Sequence, residues 1–265
     1  MIGKKGTRAL TLDINKIGKR LSKSKRSQLT IFIIIAILII AVVALFFVFR
    51  GGIQKEKPAS PETAEINSFV QECLDDSLEE VVFRIGEGGG YYFPPKISTP
   101  LLEVPYYIKN NKNLMPTKQD IENEISRYVK RELVLCIGNF AQFPEYEITK
   151  GEMTAETKIE SERVLVDVKY PLTIIKDETK SKIEDFNSEI PVRLGIVYDA
   201  VAEFVGQELE TGVEGTCVSC LADISVKKDL YASVFDYDNR TSIFIISDFN
   251  SKINKEEFVY IFANE

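Results

Sequence analysis

Twenty-one consecutive residues from Leu29 to Phe49, LTIFIIIAILIIAVVALFFVF, contain 17 Leu, Ile, Val or Phe, three Ala, one Thr and no charge. That length crosses the hydrocarbon core of a bilayer as one helix. At roughly −0.3 to −0.6 kcal/mol per large apolar residue near the helix centre, insertion is favoured by up to about 5 to 10 kcal/mol. A core helix is rarely apolar on every face, and a secretory h-region is shorter and is followed by an A-x-A cleavage site, which this sequence lacks. The run therefore predicts a transmembrane helix over 29–49. Everything else in the chain becomes a flank on one side of a membrane or the other.

The two flanks differ in charge. Residues 1–28 carry nine basic side chains against the single acid Asp13, a net +8, whereas residues 51–265 hold 23 basic and 39 acidic residues, a net −16. Positive flanks stay in the cytoplasm. The expected topology is thus a cytoplasmic N-terminus and a C-terminal domain outside, at the cell membrane, in a single pass. Within the tail, Leu10, Ile14, Ile17 and Leu21 recur at helical spacing among lysines. That pattern fits either a basic amphipathic helix on the lipid bilayer or a disordered flank that only sets topology. Nucleic-acid binding is not expected, because the charge lies beside the bilayer and no aromatic residues are interleaved with it.

Residues 50–60 have the Gly, Pro and charge content of a spacer. Residues 61–265 then suffice for one substantial core, or for two lobes dividing near residue 180. A first helix is expected from Pro61, with Ile66, Phe69, Val70, Cys73, Leu74, Leu78, Val81, Val82 and Ile85 on one stripe, ending at the GEGGG of 86–90. A second opens at Thr117 with Asp120 in capping-box position and buries Ile121, Ile125, Tyr128, Val129, Leu133, Cys136 and Ile137. Four strand-like segments follow between 145 and 176, the third alternating Val164, Val166, Val168 and Tyr170 with Asp167 and Lys169. A third helix is expected from Pro191, and three more strands from LYASVFDYD, TSIFIISDF and EEFVYIF. Helices and strands in blocks predict an α+β domain of about three helices with antiparallel sheets.

The cysteines offer more than one chemistry. Outside the cytoplasm, Cys73, Cys136, Cys217 and Cys220 meet an oxidising environment, where disulfides are the default. Four cysteines allow three pairings. Cys73 and Cys136 share core-facing stripes, which favours joining them and leaves Cys217 with Cys220. On the chain-entropy model the 63-residue span is worth about 4 kcal/mol and the tetrapeptide CVSC about 2. Zinc would need two long helices to converge on CVSC, and the chain has no histidine. A thioredoxin-like exchange site would need CVSC to follow a strand and open a helix. The glycine-bearing TGVEG before it and the β-rich stretch after it point instead to a stapled loop.

Without histidine, Ser-His-Asp, Cys-His and HExxH chemistry are all excluded. GEGGG ends a helix, whereas a phosphate cradle begins one, so it reads as a C-cap and turn. YYFPP and VPYYI place Tyr91, Tyr92, Tyr106 and Tyr107 on proline-rich segments, either as a contact surface for a peptide or glycan or as a cover over the end of the core. Asn239-Arg240-Thr241 is a glycosylation sequon where the chain should turn between strands. DYDN lacks the later acids of a calcium loop. Neither a metal nor a cofactor is expected, nor is a catalytic residue.

Two resemblances add to this reading. KRSQLTIFIIIAILIIA resembles the start of archaeal class III prepilin-like proteins, which implies cleavage between Ser27 and Gln28; such pilins keep Glu at the fifth mature position, which here is Phe32. The stretches ECLDDSLEEVVFRIGEGGGYY, VPYYI with NLMPT, VKYPLTI, IPVRLG and SKINKEEFVYIFANE resemble a family of uncharacterised archaeal single-pass membrane proteins. That likeness implies the same topology and carries no activity with it. The leading expectation is a non-enzymatic, membrane-anchored extracytoplasmic protein whose disulfide-stapled domain binds a protein or glycan partner in the cell envelope, or serves there as structure. The alternatives are a pilin-like subunit released before Gln28 and an outside-facing thiol oxidoreductase using Cys217 and Cys220.

Overall fold

The computed structural model describes residues 61–211 and 216–265, together with the helical Ile35, Leu38 and Ile39. The rest of the expected span, the basic tail and the linker lie outside the described residues. Among the described residues no helix is long and apolar enough to cross a membrane. Residues 59–265 form one compact unit.

That unit is α+β, with four helices and antiparallel-rich sheets. Helix α1 (Pro61–Glu87) follows the apolar stripe, burying Ile66, Val70, Cys73, Leu74, Leu78, Val81, Val82 and Ile85. Its end is set by glycine. Gly90 N–H reaches back to Ile85 O at 2.8 Å, and a Cβ on Gly89, whose φ is +53°, would stand 2.3 Å from Ile261 O. A side chain there would push the turn off the neighbouring strand.

Helix α2 (Lys118–Ile137) starts at the expected capping box, Thr117 bonding Asp120 N–H while the Asp120 carboxylate accepts from Thr117 N–H. It packs on α1 through Ile121, Ile125, Val129, Leu133 and Ile137. Two expected members of that stripe differ: Tyr128 is half-buried and Cys136 is exposed. The buried row recurs every four residues, and Tyr128 and Cys136, each one position before a member of it, lie at its edge.

The larger sheet runs β2 (Lys112–Asn113), β1 (Tyr106–Lys109), β9 (Glu256–Asn264), β8 (Ser242–Ile253), β7 (Tyr231–Asp236). Every pairing is antiparallel except β1 with β9, which is parallel. That parallel pair departs from the all-antiparallel expectation. It arises because the two strands are brought together by a long crossover, not by a hairpin. The smaller sheet places β3 (Glu147–Lys150) and β4 (Thr154–Ile159) end to end along one edge of β5 (Val164–Lys176), with β6 (Thr179–Ile190) on the other edge. β5 is continuous where two strands were expected. Pro171 sits at a register shift between Lys169 and Leu172, opposite the β3–β4 junction, and its carbonyl accepts from Gly151 N–H at 2.7 Å. Proline is tolerated at such a bulge. The hairpin of β5 with β6 spans residue 180, and α1 packs on both β6 and β9, so the domain does not divide there.

Helix α3 (Leu194–Thr211) starts three residues after Pro191 and packs Phe204 against Phe244 and Phe262 of the larger sheet, with centroids 5.2 and 6.3 Å apart. A fourth helix, α4 (Val218–Lys228), begins inside the CVSC motif and packs on α3 and β7. CVSC is therefore not a stapled loop: Leu221 and Ile224 give the segment enough of an apolar face to dock as a helix. Arg193, before α3, holds this end of the domain together. Its Nε and Nη2 donate to the fully buried Asp248 of β8 at 3.0 and 2.5 Å, and Nη2 also donates to Asp229 O, at the C-cap of α4. Ser251 and the Asn250 backbone complete the carboxylate's shell.

Candidate functional site

Both disulfides form, Cys73 with Cys136 and Cys217 with Cys220. Their settings differ. Cys73 is 1 % exposed within α1, and the first bridge clamps α1 to α2. Cys217 and Cys220 are both half-buried. Cys217 is the N-cap of α4, with its Sγ accepting the Cys220 N–H at 3.3 Å. The first turn of α4 carries no acidic side chain, and Lys227 and Lys228 occupy the last. The positive end of the helix dipole is thus directed at the cysteines, where the Glu208 carboxylate of α3 partly offsets it by accepting the Cys217 N–H.

On the α3 side stands Glu208. Burial pushes its pKa up and the bond it accepts from Cys217 N–H, at 2.6 Å, opposes that shift. Glu208, Thr216 and Val218 form one wall of a cleft of about 1000 Å³. The facing wall is built from the ends of the larger sheet's strands, including Val234, Asp236, Ser242 and Asn264, and from the turn between β7 and β8. In that turn Asp238 accepts the Arg240 and Thr241 N–H groups at 2.8 and 2.9 Å, and these bonds hold its pKa low. Arg240 lies 3.7 Å from Glu265, which also pairs with Lys109. Asn264 is only 7 % exposed; its Oδ1 accepts from Ile108 N–H, and its Nδ2 has no partner among the described residues. A buried donor left unpaired costs roughly 1 to 3 kcal/mol.

The sequon falls on the same turn. Asn239 is exposed and lines the cleft, while Thr241 is buried with its hydroxyl 3.3 Å from Tyr106 Oη.

The four candidate tyrosines separate into two kinds. Tyr106 and Tyr107 belong to strand β1 and are buried, which rules them out as surface contacts. Tyr107 Oη donates to Gly89 O at 2.8 Å and lies 2.7 Å from Tyr260 Oη, so it seals the core beneath the glycine turn. Tyr91 and Tyr92 are half-buried, Tyr92 stacking on Tyr128 at 4.1 Å and bonding Glu132. Four of the exposed apolar side chains lie between the two tyrosine pairs. Phe93, Ile97, Leu101 and Leu102 all project into solvent, with Leu101 89 % and Leu102 60 % exposed. Arg131 of α2 lies over the Phe93 ring at 5.4 Å.

A second, smaller cleft of about 560 Å³ lies between α2 and β4. It is a packing seam, crossed by Ser126 to Thr157 at 2.8 Å and Ile159 N–H to Glu122 at 2.9 Å. Among the described residues no group of three or more Cys, Asp or Glu is placed to hold a metal ion.

Sequence reasoning missed Glu208, Asn264, Leu101 and Leu102. Only the leucines had a local signal, two adjacent aliphatics in the proline-bounded PLLEVP. The chain matches no protein-family profile, no curated protein and no solved structure.

Proposed function

We propose that the chain is a single-pass envelope protein whose disulfide-stapled α+β domain lies outside the cytoplasm and binds a protein partner through the loop at 93–102. The placement rests on the sequence: a 21-residue apolar span, a +8 tail before it and a −16 domain after it. Two disulfides in that domain suit an oxidising compartment. The observation that carries the binding role is the exposure of Phe93, Ile97, Leu101 and Leu102 on one loop. Four apolar side chains exposed within ten residues are the kind of surface feature that marks an interaction site.

Aliphatic side chains suit an apolar pocket on a protein better than a glycan, whose recognition favours flat aromatic faces. The loop follows the C-terminal end of α1, and 27 helical residues at about 1.5 Å each set it roughly 40 Å along the helix from where the linker joins.

The test is a photo-crosslinking residue in place of Leu101, in the full chain in native membranes. A discrete protein adduct, abolished by Leu102→Asp, is the expected result. Adducts to lipid alone, or none, would sink the binding role. A thiol-specific, membrane-impermeant label applied to intact cells after reduction checks the topology independently.

A further inference from the structure

The cleft beside α4 shares no lining residue with the apolar loop. We propose that Cys217–Cys220 is an exchangeable disulfide that accepts two electrons from a dithiol segment of a protein substrate seated in this cleft. Three features of the structure support the assignment. The pair opens a helix of 11 residues, with Cys217 at the N-cap and its sulfur already accepting a backbone N–H. Both cysteines of the pair are half-buried, whereas the other disulfide joins an exposed Cys136 to a Cys73 packed in the core. The residues on either side of Cys217, Thr216 and Val218, both line that cleft.

The exchange balances without a cofactor. A substrate thiolate attacks Cys217 Sγ, forming a mixed disulfide and breaking the Cys217–Cys220 bond, and Cys220 leaves as a thiolate and takes up a proton. The second substrate thiolate then attacks the substrate sulfur of the mixed disulfide, and Cys217 leaves. The substrate dithiol is oxidised to a disulfide, and the CVSC pair is reduced to the Cys220 thiol and the Cys217 thiolate, the second substrate proton passing to solvent. Cys217 is the better final leaving group, because the Cys220 N–H and the N-terminus of α4 stabilise its thiolate. Reoxidation by any protein or small-molecule disulfide reverses the same two steps.

Glu208 is a positioning residue. Its carboxylate fixes the Cys217 backbone N–H and so the N-cap geometry. The rim of the cleft sets the substrate's charge. Glu208, Asp236, Asp238 and Glu265 outnumber the guanidinium of Arg240, which favours a basic dithiol segment.

The first test titrates full-length protein in detergent with dithiothreitol, alkylates it and reads the intact mass. Cys217 and Cys220 should open at dithiol concentrations at least tenfold below those that open Cys73–Cys136, with the melting transition retained. Opening of both bonds together, or of Cys73–Cys136 first, would overturn the proposal. The second test compares Cys220→Ser with Cys217→Ser at pH 7 against a peptide disulfide. Cys220→Ser should form the mixed disulfide at least tenfold faster, and equal rates would remove Cys217 from its assigned role. The third uses Asp236→Arg. Exchange with a lysine-flanked dithiol peptide should slow at least threefold while exchange with dithiothreitol is unchanged; equal effects on both would take the substrate out of the cleft. None of these assays involves Leu101 or Leu102, so failure here leaves the partner-binding reading standing.

Discussion

Helices α1 and α2 form one pair and helices α3 and α4 another, and each pair carries a disulfide, yet the two bonds do different work. In the first pair the cross-link joins the middle of α1 to the end of α2 and starts from a cysteine packed in the core. In the second, both cysteines sit in the opening turn of α4, and what holds that end of the domain together is Arg193, bonded to Asp248 and to the C-cap of α4. A cross-link between distant segments restricts the unfolded chain, and one inside a single turn does so about half as much. The same bond can therefore serve as a staple at one site and remain available for chemistry at another.

The comparison can be broken most directly at the first pair. Replacing Cys73 and Cys136 with alanine should cost about 4 kcal/mol, since it frees a span of 63 residues in the unfolded chain. For a domain of this size that lowers Tm by roughly 10 °C, measurable by calorimetry. If the loss matched that of the short bridge, the distinction would fail.

Next comes the ion pair at the second helix pair. Arg193→Ala leaves a buried carboxylate uncompensated and should cost about 3 kcal/mol by urea unfolding. The same pair has a pH signature. Burial pushes Asp248 up, but the bonds from Arg193, Ser251 and Asn250 outweigh it and leave its pKa below the ordinary value. A depressed pKa contributes stability that is present above the unfolded value and lost as pH falls through the folded one. Wild-type protein should therefore shed this contribution below about pH 4, and Asp248→Asn should lack that component of the acid titration.

Removing Cys217 and Cys220 together should cost only about 2 kcal/mol, half the effect of the long bridge. A larger loss would mark the CVSC turn as a structural staple after all. The smallest effect sharpens the first helix pair alone: Thr117→Ala removes the capping box of α2 and should cost about 1 kcal/mol, read as a shift in urea midpoint with unchanged slope.

The first helix pair was almost fully legible in the sequence, and the second was not. α1 announces itself with eight buried residues at helical spacing and a glycine stop, and α2 with a capping box. α4 offers only 11 residues, of which Leu221, Ile224 and Ser225 are buried, and its cap is a cysteine sulfur, not the usual Ser, Thr, Asp or Asn. Strand β6 was missed for a related reason. In TKSKIEDFNSEI the buried positions are Phe186, Ser188 and Ile190, confined to its second half. The tyrosines show the limit of local reading. VPYYI looks like a loop because of its proline, and only its pairing with β9, more than 150 residues away, makes it a buried strand. The lining of the cleft likewise converges from segments with no sequence relation to one another, so no motif could have revealed that Asn264 and Val218 share it.

That parallel pairing of β1 with β9 also sets a schedule. Ile108 N–H bonds the side chain of Asn264, 156 positions later, and its carbonyl accepts from Glu265 N–H at 2.8 Å. On a ribosome, β1 emerges long before the strand it lies against, so the larger sheet stays open along that edge until β9 has emerged. Pairings of such separation are slow to form, because the chain must first bring their ends together. During that interval the half-made sheet exposes a bare edge, the state in which a chaperone's attention would matter most to this protein.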